Sequence, residues 1–309
     1  VLLALKSPRF LYPAIQSRRR SEEIARHLAL TIWDSLPDKR LYKIAEEGKL
    51  VNPETVEQES RRMVRDWRSR QKVKMFFLGW LKAERAASSA KDKTAYPDFD
   101  HELVADLQTS LLLYLDDVVW KDTSDYRELF LADYLYVNKK IGAFYGIPVS
   151  GDGFRKVSLS SDNRSGVVTH PLLMSGLAYS KGSSPIHRGV FIAKQILGTS
   201  LRQPPDDVEP LTEEFNPEMT TRERVEHQTK ETGCMSCHQV INPLGFSLEN
   251  YDAVGRFRTH EKSKPIDVNS VYTSPEGDDV KIGGARDLAE FLAGSERAQK
   301  SFIRKLFNY

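Results

Sequence analysis

Residues 231–258 read ETGCMSCHQVINPLGFSLENYDAVGRFR, and they hold both cysteines of the 309-residue chain, Cys234 and Cys237, with His238 directly after them. On a helix, two thiols at i and i+3 share one face, and the next residue brings an imidazole round to the same side. This geometry lets two thiols bond the edge of a porphyrin while a ring nitrogen meets its iron, so the spacing reads as a covalent haem attachment site. Cys234 and Cys237 are then the expected thioether ligands and His238 the proximal iron ligand, for one haem c. Other readings of the spacing carry specific costs. A structural zinc site needs four ligands, and the sequence offers no second Cys pair or His pair at finger spacing. A thioredoxin-like CxxC follows a strand and opens a long helix, whereas here a helical pattern precedes it. A disulfide across so short a loop is strained and closes little chain.

The residues after the motif extend the haem reading. Pro243 and Gly245 are expected to turn the chain under the proximal face, with Leu244, Phe246, Leu248 and Tyr251 as apolar walls. A backbone carbonyl near Pro243 is the expected acceptor for the second ring nitrogen of His238. Arg256 and Arg258 are candidates to neutralise the propionates, with surface ion pairs as the alternative. No Met follows the motif, so any second axial ligand must come from upstream, and the candidates are His227, Met174 and His170. His227 lies seven residues before Cys234, two turns away if one helix spans both. His187 and His260 have the weaker positions, at a helix start and in a loop.

The 45 basic and 43 acidic residues nearly balance, so no global field points to nucleic acid. With 40% apolar and 28% charged residues, the chain is expected to fold as a globular protein, and no apolar run is long enough to span a bilayer. It starts without Met and stops within an amphipathic pattern, which reads as part of a longer polypeptide.

Helical periodicity begins at Ser21, with Ile24, Leu28, Ile32 and Leu36 on one face, and Pro37 interrupts it. Further helices are expected over 38–48, from the Asn52 cap and Pro53 onward, over 101–120, and through 125–148 with Gly146 and Pro148 as the stop. Met63, Trp67, Phe77, Trp80 and Leu81 are expected to share one core. Residues 149–219 are rich in Gly, Ser and Pro, and read as a long connection with a short strand near Val157 and one helix from about His187 to Leu197. The prolines and acids of 202–219 mark the best boundary. A helix capped by Thr220 or Thr221 leads into the motif. A hairpin turning at Ser274 to Asp278 and two final helices close the chain. The expected fold is mainly α: a helical scaffold (1–148), a connection (149–219), and a cytochrome c-like haem domain with a small β-hairpin (220–309).

The segment HQTKETGCMSCHQVINPLGFSLENYDAVGRFR (227–258) resembles the haem segment of the planctomycete-type multidomain cytochromes c, a family known largely as consecutive domains of unknown function. SPRFLYP, RHLALTIWDSLPDKRLYKIAEEGKL, FFLGWL, LFLADYLYVNKKIGAFYGIP, RSGVVTH and SSPIHRGVF occur in the order the family uses, so the resemblance covers nearly the whole chain. Two features depart from it: ILGTSLRQPPDDV lacks the family's thiol before the linker and its longer proline run, and the final helix stops early. The resemblance implies an extracytoplasmic, periplasmic-type haem protein and no particular reaction. Electron transfer to a redox partner protein or a neighbouring haem domain is the leading expectation. The rivals are a peroxidase-like haem enzyme with an open distal face, and a structural haem module of a large assembly.

Overall fold

A computed structural model describes residues 20–88, 90–201 and 217–309. Among them the chain is mainly helical, with three two-stranded antiparallel sheets, which agrees with the expected mainly α class. By packing, it divides into a unit that ends at Phe77 and a unit from Leu78 to Tyr309. This is a different cut from the three parts read in the sequence. Most of the expected linker, 202–216, lies outside the described residues.

The first unit is built from α1 (Arg20–Trp33), α2 (Lys39–Glu46), a 3-10 turn (Lys49–Val51), α3 (Pro53–Val64) and the start of α4 (Trp67–Trp80). Asp38 caps α2 by accepting from the Leu41 amide at 2.8 Å, and Asn52 caps α3 just before Pro53. The deepest residues of α1 are Ser21, Ala25, Ala29 and Trp33, one position round from the expected stripe. Ile24, Leu28 and Ile32 flank that core half-buried, and Leu36 is 77% exposed because the helix ends before it. Trp33 anchors the unit: its Nε1 donates to the Met63 carbonyl at 2.9 Å, and the Arg68 guanidinium stacks 3.4 Å from its ring centroid. The aromatic core expected around Met63 is divided. Met63 and Phe77 are buried in this unit, Trp80 and Leu81 are buried in the second, and Trp67 is 68% exposed.

The second unit opens with α5 (Ala83–Ala87) and the apolar α6 (His101–Trp120). The single helix expected across 125–148 is three elements: α7 (Glu128–Leu131), strand β1 (Tyr134–Val137) and α8 (Lys139–Tyr145). The run YLYV suits a pleated, half-buried surface better than a helix, and it pairs with β2 (Arg155–Ser158) in the register Leu135 to Val157. Gly146, at φ 68°, ends α8 as expected.

Residues 164–197 do not merely connect. A 3-10 turn (Gly166–Thr169), α9 (Pro171–Gly176), α10 (Pro185–Phe191) and a π-turn (Ile192–Ile196) supply much of the core. After α11 (Thr221–Thr229), α10 packs closely on α12 (Thr232–Phe246), the motif helix. Glycines let the two backbones meet: a Cβ added at Gly189 would stand 2.0 Å from the Ile241 carbonyl oxygen, and one at Gly245 would stand 2.0 Å from that of Pro185. The turn expected at Pro243 and Gly245 is therefore absent. Both lie inside α12, and the Pro243 carbonyl accepts from Ser270 Oγ at 2.9 Å. Short strands β3 (His260–Glu261) and β4 (Lys264–Pro265) precede the hairpin β5 (Ser270–Thr273) and β6 (Asp279–Ile282), and α13 (Ala285–Gly294) and α14 (Glu296–Phe307) follow.

Where α12 ends, the fully buried Arg188 of α10 gathers the chain. Nη1 donates to the carbonyls of Leu248 (2.8 Å) and Tyr251 (2.7 Å) and to Glu249 Oε1 (3.2 Å), while Nη2 donates to the Asp252 carbonyl (2.8 Å). Glu249 also accepts from Ser183 Oγ at 2.7 Å. Removing one partner of a buried ion pair strands the other charge, at about 3–5 kcal/mol. Arg188→Met is therefore expected to lower stability in urea unfolding by roughly that amount, and adding Glu249→Leu to recover part of it. No recovery would mean that the carbonyl bonds, not the ion pair, carry the contribution.

Candidate haem-attachment site

α12 is exposed at its N-terminal half and buried at its C-terminal half. Thr232, Gly233, Met235, Ser236 and Gln239 face solvent, whereas Ile241, Asn242, Leu244, Gly245 and Phe246 are buried. Cys234, Cys237 and His238 lie at the border, each half-buried, and at helical spacing of three and four they form one stripe. Both cysteines are free thiols. Among the described residues no group of three or more His, Cys, Asp or Glu is arranged to hold a metal ion, so the motif has no partner set for a four-ligand zinc site.

His238 is oriented by a side chain rather than by the carbonyl near Pro243. Its Nδ1 lies 2.9 Å from Asn242 Oδ1, the Asn242 Nδ2 donates to Thr229 Oγ1 at 2.9 Å, and Thr229 Oγ1 donates to the Val225 carbonyl at 2.7 Å. The chain of donors determines the tautomer. Thr229 spends its only proton on Val225, so it accepts from Asn242, and the amide must then turn its oxygen to the imidazole. An amide oxygen only accepts, so the neutral form of His238 carries its proton on Nδ1 and keeps a lone pair on Nε2. Asn242 stands at i+4 from His238, a spacing readable in the sequence, but its lock on Thr229 crosses from α12 to α11.

The expected surroundings fare differently. Leu244 and Phe246 are core residues, with Phe246 under the Arg222 guanidinium at 4.7 Å, and Leu248 and Tyr251 are also buried. Arg256 stacks on Phe144 at 3.9 Å and donates through Nε to its carbonyl at 3.3 Å. Arg258 is held by Ser183 and Glu249. Both candidate propionate partners thus serve the fold.

The three upstream ligand candidates are not brought to one place. His227 is exposed on α11, and an extended Glu231 separates that helix from α12, so the two-turn spacing to Cys234 does not run along one helix. His170 is 1% exposed and caps α9: Nδ1 accepts from the Leu172 amide at 3.3 Å, and Nε2 lies 3.4 Å from Ser110 Oγ. Met174 is also 1% exposed and packs against Gly255. Both are interior residues because the segment expected to be a connection is core. His187 stacks on Tyr179, and His260 meets Thr259 Oγ1.

The residues present fit a covalent haem: two free thiols on one helical face, and an imidazole whose Nε2 is held available. Residues 20–147 match the family model described as PSD4, protein of unknown function (DUF1592), and residues 164–261, which include the motif, match that described as PSCyt3, protein of unknown function (DUF1588). The chain thus carries these two domains in succession, the kind found in planctomycete-type multihaem cytochromes. No curated protein and no solved structure matches it.

Burial, and next to it the Arg164 charge, pushes the His170 imidazole down to about 3. An unfolded histidine titrates near ~6.5. Between those values the unfolded chain binds a proton that the folded chain refuses, so stability falls as pH is lowered through that window, by up to about 1.4 kcal/mol per pH unit. Urea midpoints measured from pH ~7 to ~4 are expected to fall less steeply in His170→Asn than in the parent. Equal slopes would remove His170 as a source of acid sensitivity.

Proposed function

We propose that this chain is an extracytoplasmic c-type haem module that carries one haem c on Cys234 and Cys237, with His238 as proximal ligand, and passes electrons to a redox partner or a neighbouring haem domain within a larger assembly. The observation that carries the reading is the motif stripe itself: two accessible thiols beside an imidazole whose proton is confined to Nδ1. Bound there, the iron would supply one-electron exchange. Cys234 and Cys237 would fix the porphyrin edge, and Asn242 would hold the imidazole plane and strengthen its Nε2 as a donor. The buried half of α12, fastened to α10, would keep these groups from moving as charge changes. The half-exposed position of the stripe suits delivery of electrons across a surface.

One observation favours a second reading, a peroxidase-like haem enzyme with an open distal position. His170 and Met174, two of the three upstream ligand candidates, are enclosed in the core.

Expression in a host with haem-attachment machinery tests the proposal. Haem staining is expected to persist through denaturing electrophoresis and to be lost in the Cys234→Ala, Cys237→Ala double variant. A matured chain without stain would sink the reading. Asn242→Leu is expected to retain haem but to raise the midpoint potential, because a less basic imidazole stabilises the oxidised iron less. A low-spin spectrum would favour the electron carrier, and a high-spin iron that binds cyanide readily would favour the enzyme.

A further inference from the structure

A cleft of about 760 Å³ lies between residues 194–200, the β5–β6 hairpin and α14, and no residue of the motif helix lines it. Three hydroxyls at its wall, those of Thr199, Tyr272 and Ser301, are buried without a hydrogen-bond partner, and they are three of the seven such side-chain atoms among the described residues. Tyr272 is 1% exposed and Ser301 is 8% exposed. An unsatisfied buried hydroxyl is destabilising, so a concentration of them on one cavity points to an acceptor supplied from outside the chain. Gly198, at φ 65°, leaves the approach to Ser301 clear, since a Cβ there would stand 2.7 Å from its Oγ.

The cleft is also basic, with five cationic against three acidic side chains around it. Lys194 stands on one wall, and Lys300 and Arg304 stand one turn apart on α14. Two of the acids are already paired, Glu276 with Arg297 at 3.3 Å and Glu296 with Lys300 at 2.6 Å, while Asp278 is exposed at the hairpin turn. Hydroxyls and cations together are satisfied by a group made only of acceptors, which is an oxyanion. The rings of Tyr272 and Phe291, 5.6 Å apart, add an apolar wall, and the volume falls in the range of organic ligands rather than of a bare ion. We propose that this cleft binds a small organic oxyanion of about sugar size, a phosphate ester or a carboxylate. The site shares no residue with the haem motif, so it stands independently of the haem reading.

Calorimetric titration of the full chain with glucose 6-phosphate, gluconate and glucose at constant ionic strength tests this. One of the two anions is expected to bind at least about tenfold more tightly than glucose, and whichever is preferred names the oxyanion. Tyr272→Phe and Ser301→Ala are each expected to weaken that binding by about tenfold, and Arg304→Gln to weaken it as well. No protein atom partners the two hydroxyls, so both variants are expected to melt at or above the parent's temperature, which separates lost binding from lost folding. Binding of neither anion, equal binding of glucose, or affinity unchanged in all three variants would overturn the proposal.

Discussion

A buried guanidinium holds the point on which the motif helix depends. α12 runs from the surface into the core, and at its end the backbone must turn inside the protein, leaving carbonyls that water cannot reach. Arg188 meets those of Leu248, Tyr251 and Asp252 with one planar fork. A lysine ammonium would bring its donors from one nitrogen, where this turn is served from two. Burial works against the charge on both Arg188 and Glu249, lowering the pKa of the first and raising that of the second, and their pairing offsets that penalty. Because Arg188 neighbours Gly189, the same residues that satisfy the turn also bring α10 into backbone contact with α12.

Two more buried cations repeat the device. Arg164 donates to the carbonyls of Thr169 and Gly255, and Lys91 to those of Ser175, Ala178 and Tyr179, with burial holding the Lys91 amine down at about 8. All three serve carbonyls of helix ends and turns that lie inside the protein. A Gly- and Ser-rich segment can thus be core, provided that long basic side chains supply the donors that helix and sheet ladders would otherwise give. The result is a buried base beneath one exposed half-helix, and that half-helix carries Cys234, Cys237 and His238.

The legible features are those that depend on near neighbours in the chain. Asn52 with Pro53, the cap expected at Thr220 or Thr221 and found at Thr220, Gly146, and the hairpin turn at Ser274 to Asp278 are interactions within a few residues, and each appears where the sequence places it. Strand β1 is missed because YLYV fits two periods equally over four residues, and only β2 settles which one holds. The core of the first unit shifts by one position because small Ala25 and Ala29 allow close approach, an advantage that a hydrophobicity stripe does not register.

By itself the sequence determined the reactive inventory: two thiols and an imidazole at i, i+3 and i+4, on a helix, with an amide at the next i+4 position. Local geometry dictates that arrangement whatever surrounds it. The tertiary structure decided what those groups can do. Thr229, thirteen residues from Asn242, sets the amide and through it the His238 tautomer. Phe144, at a separation of 112, takes up Arg256, while packing on α6 takes His170 into the core. Where a donor's single proton goes and where a cation rests are assigned by partners distant in sequence, and no period or spacing along the chain encodes that choice.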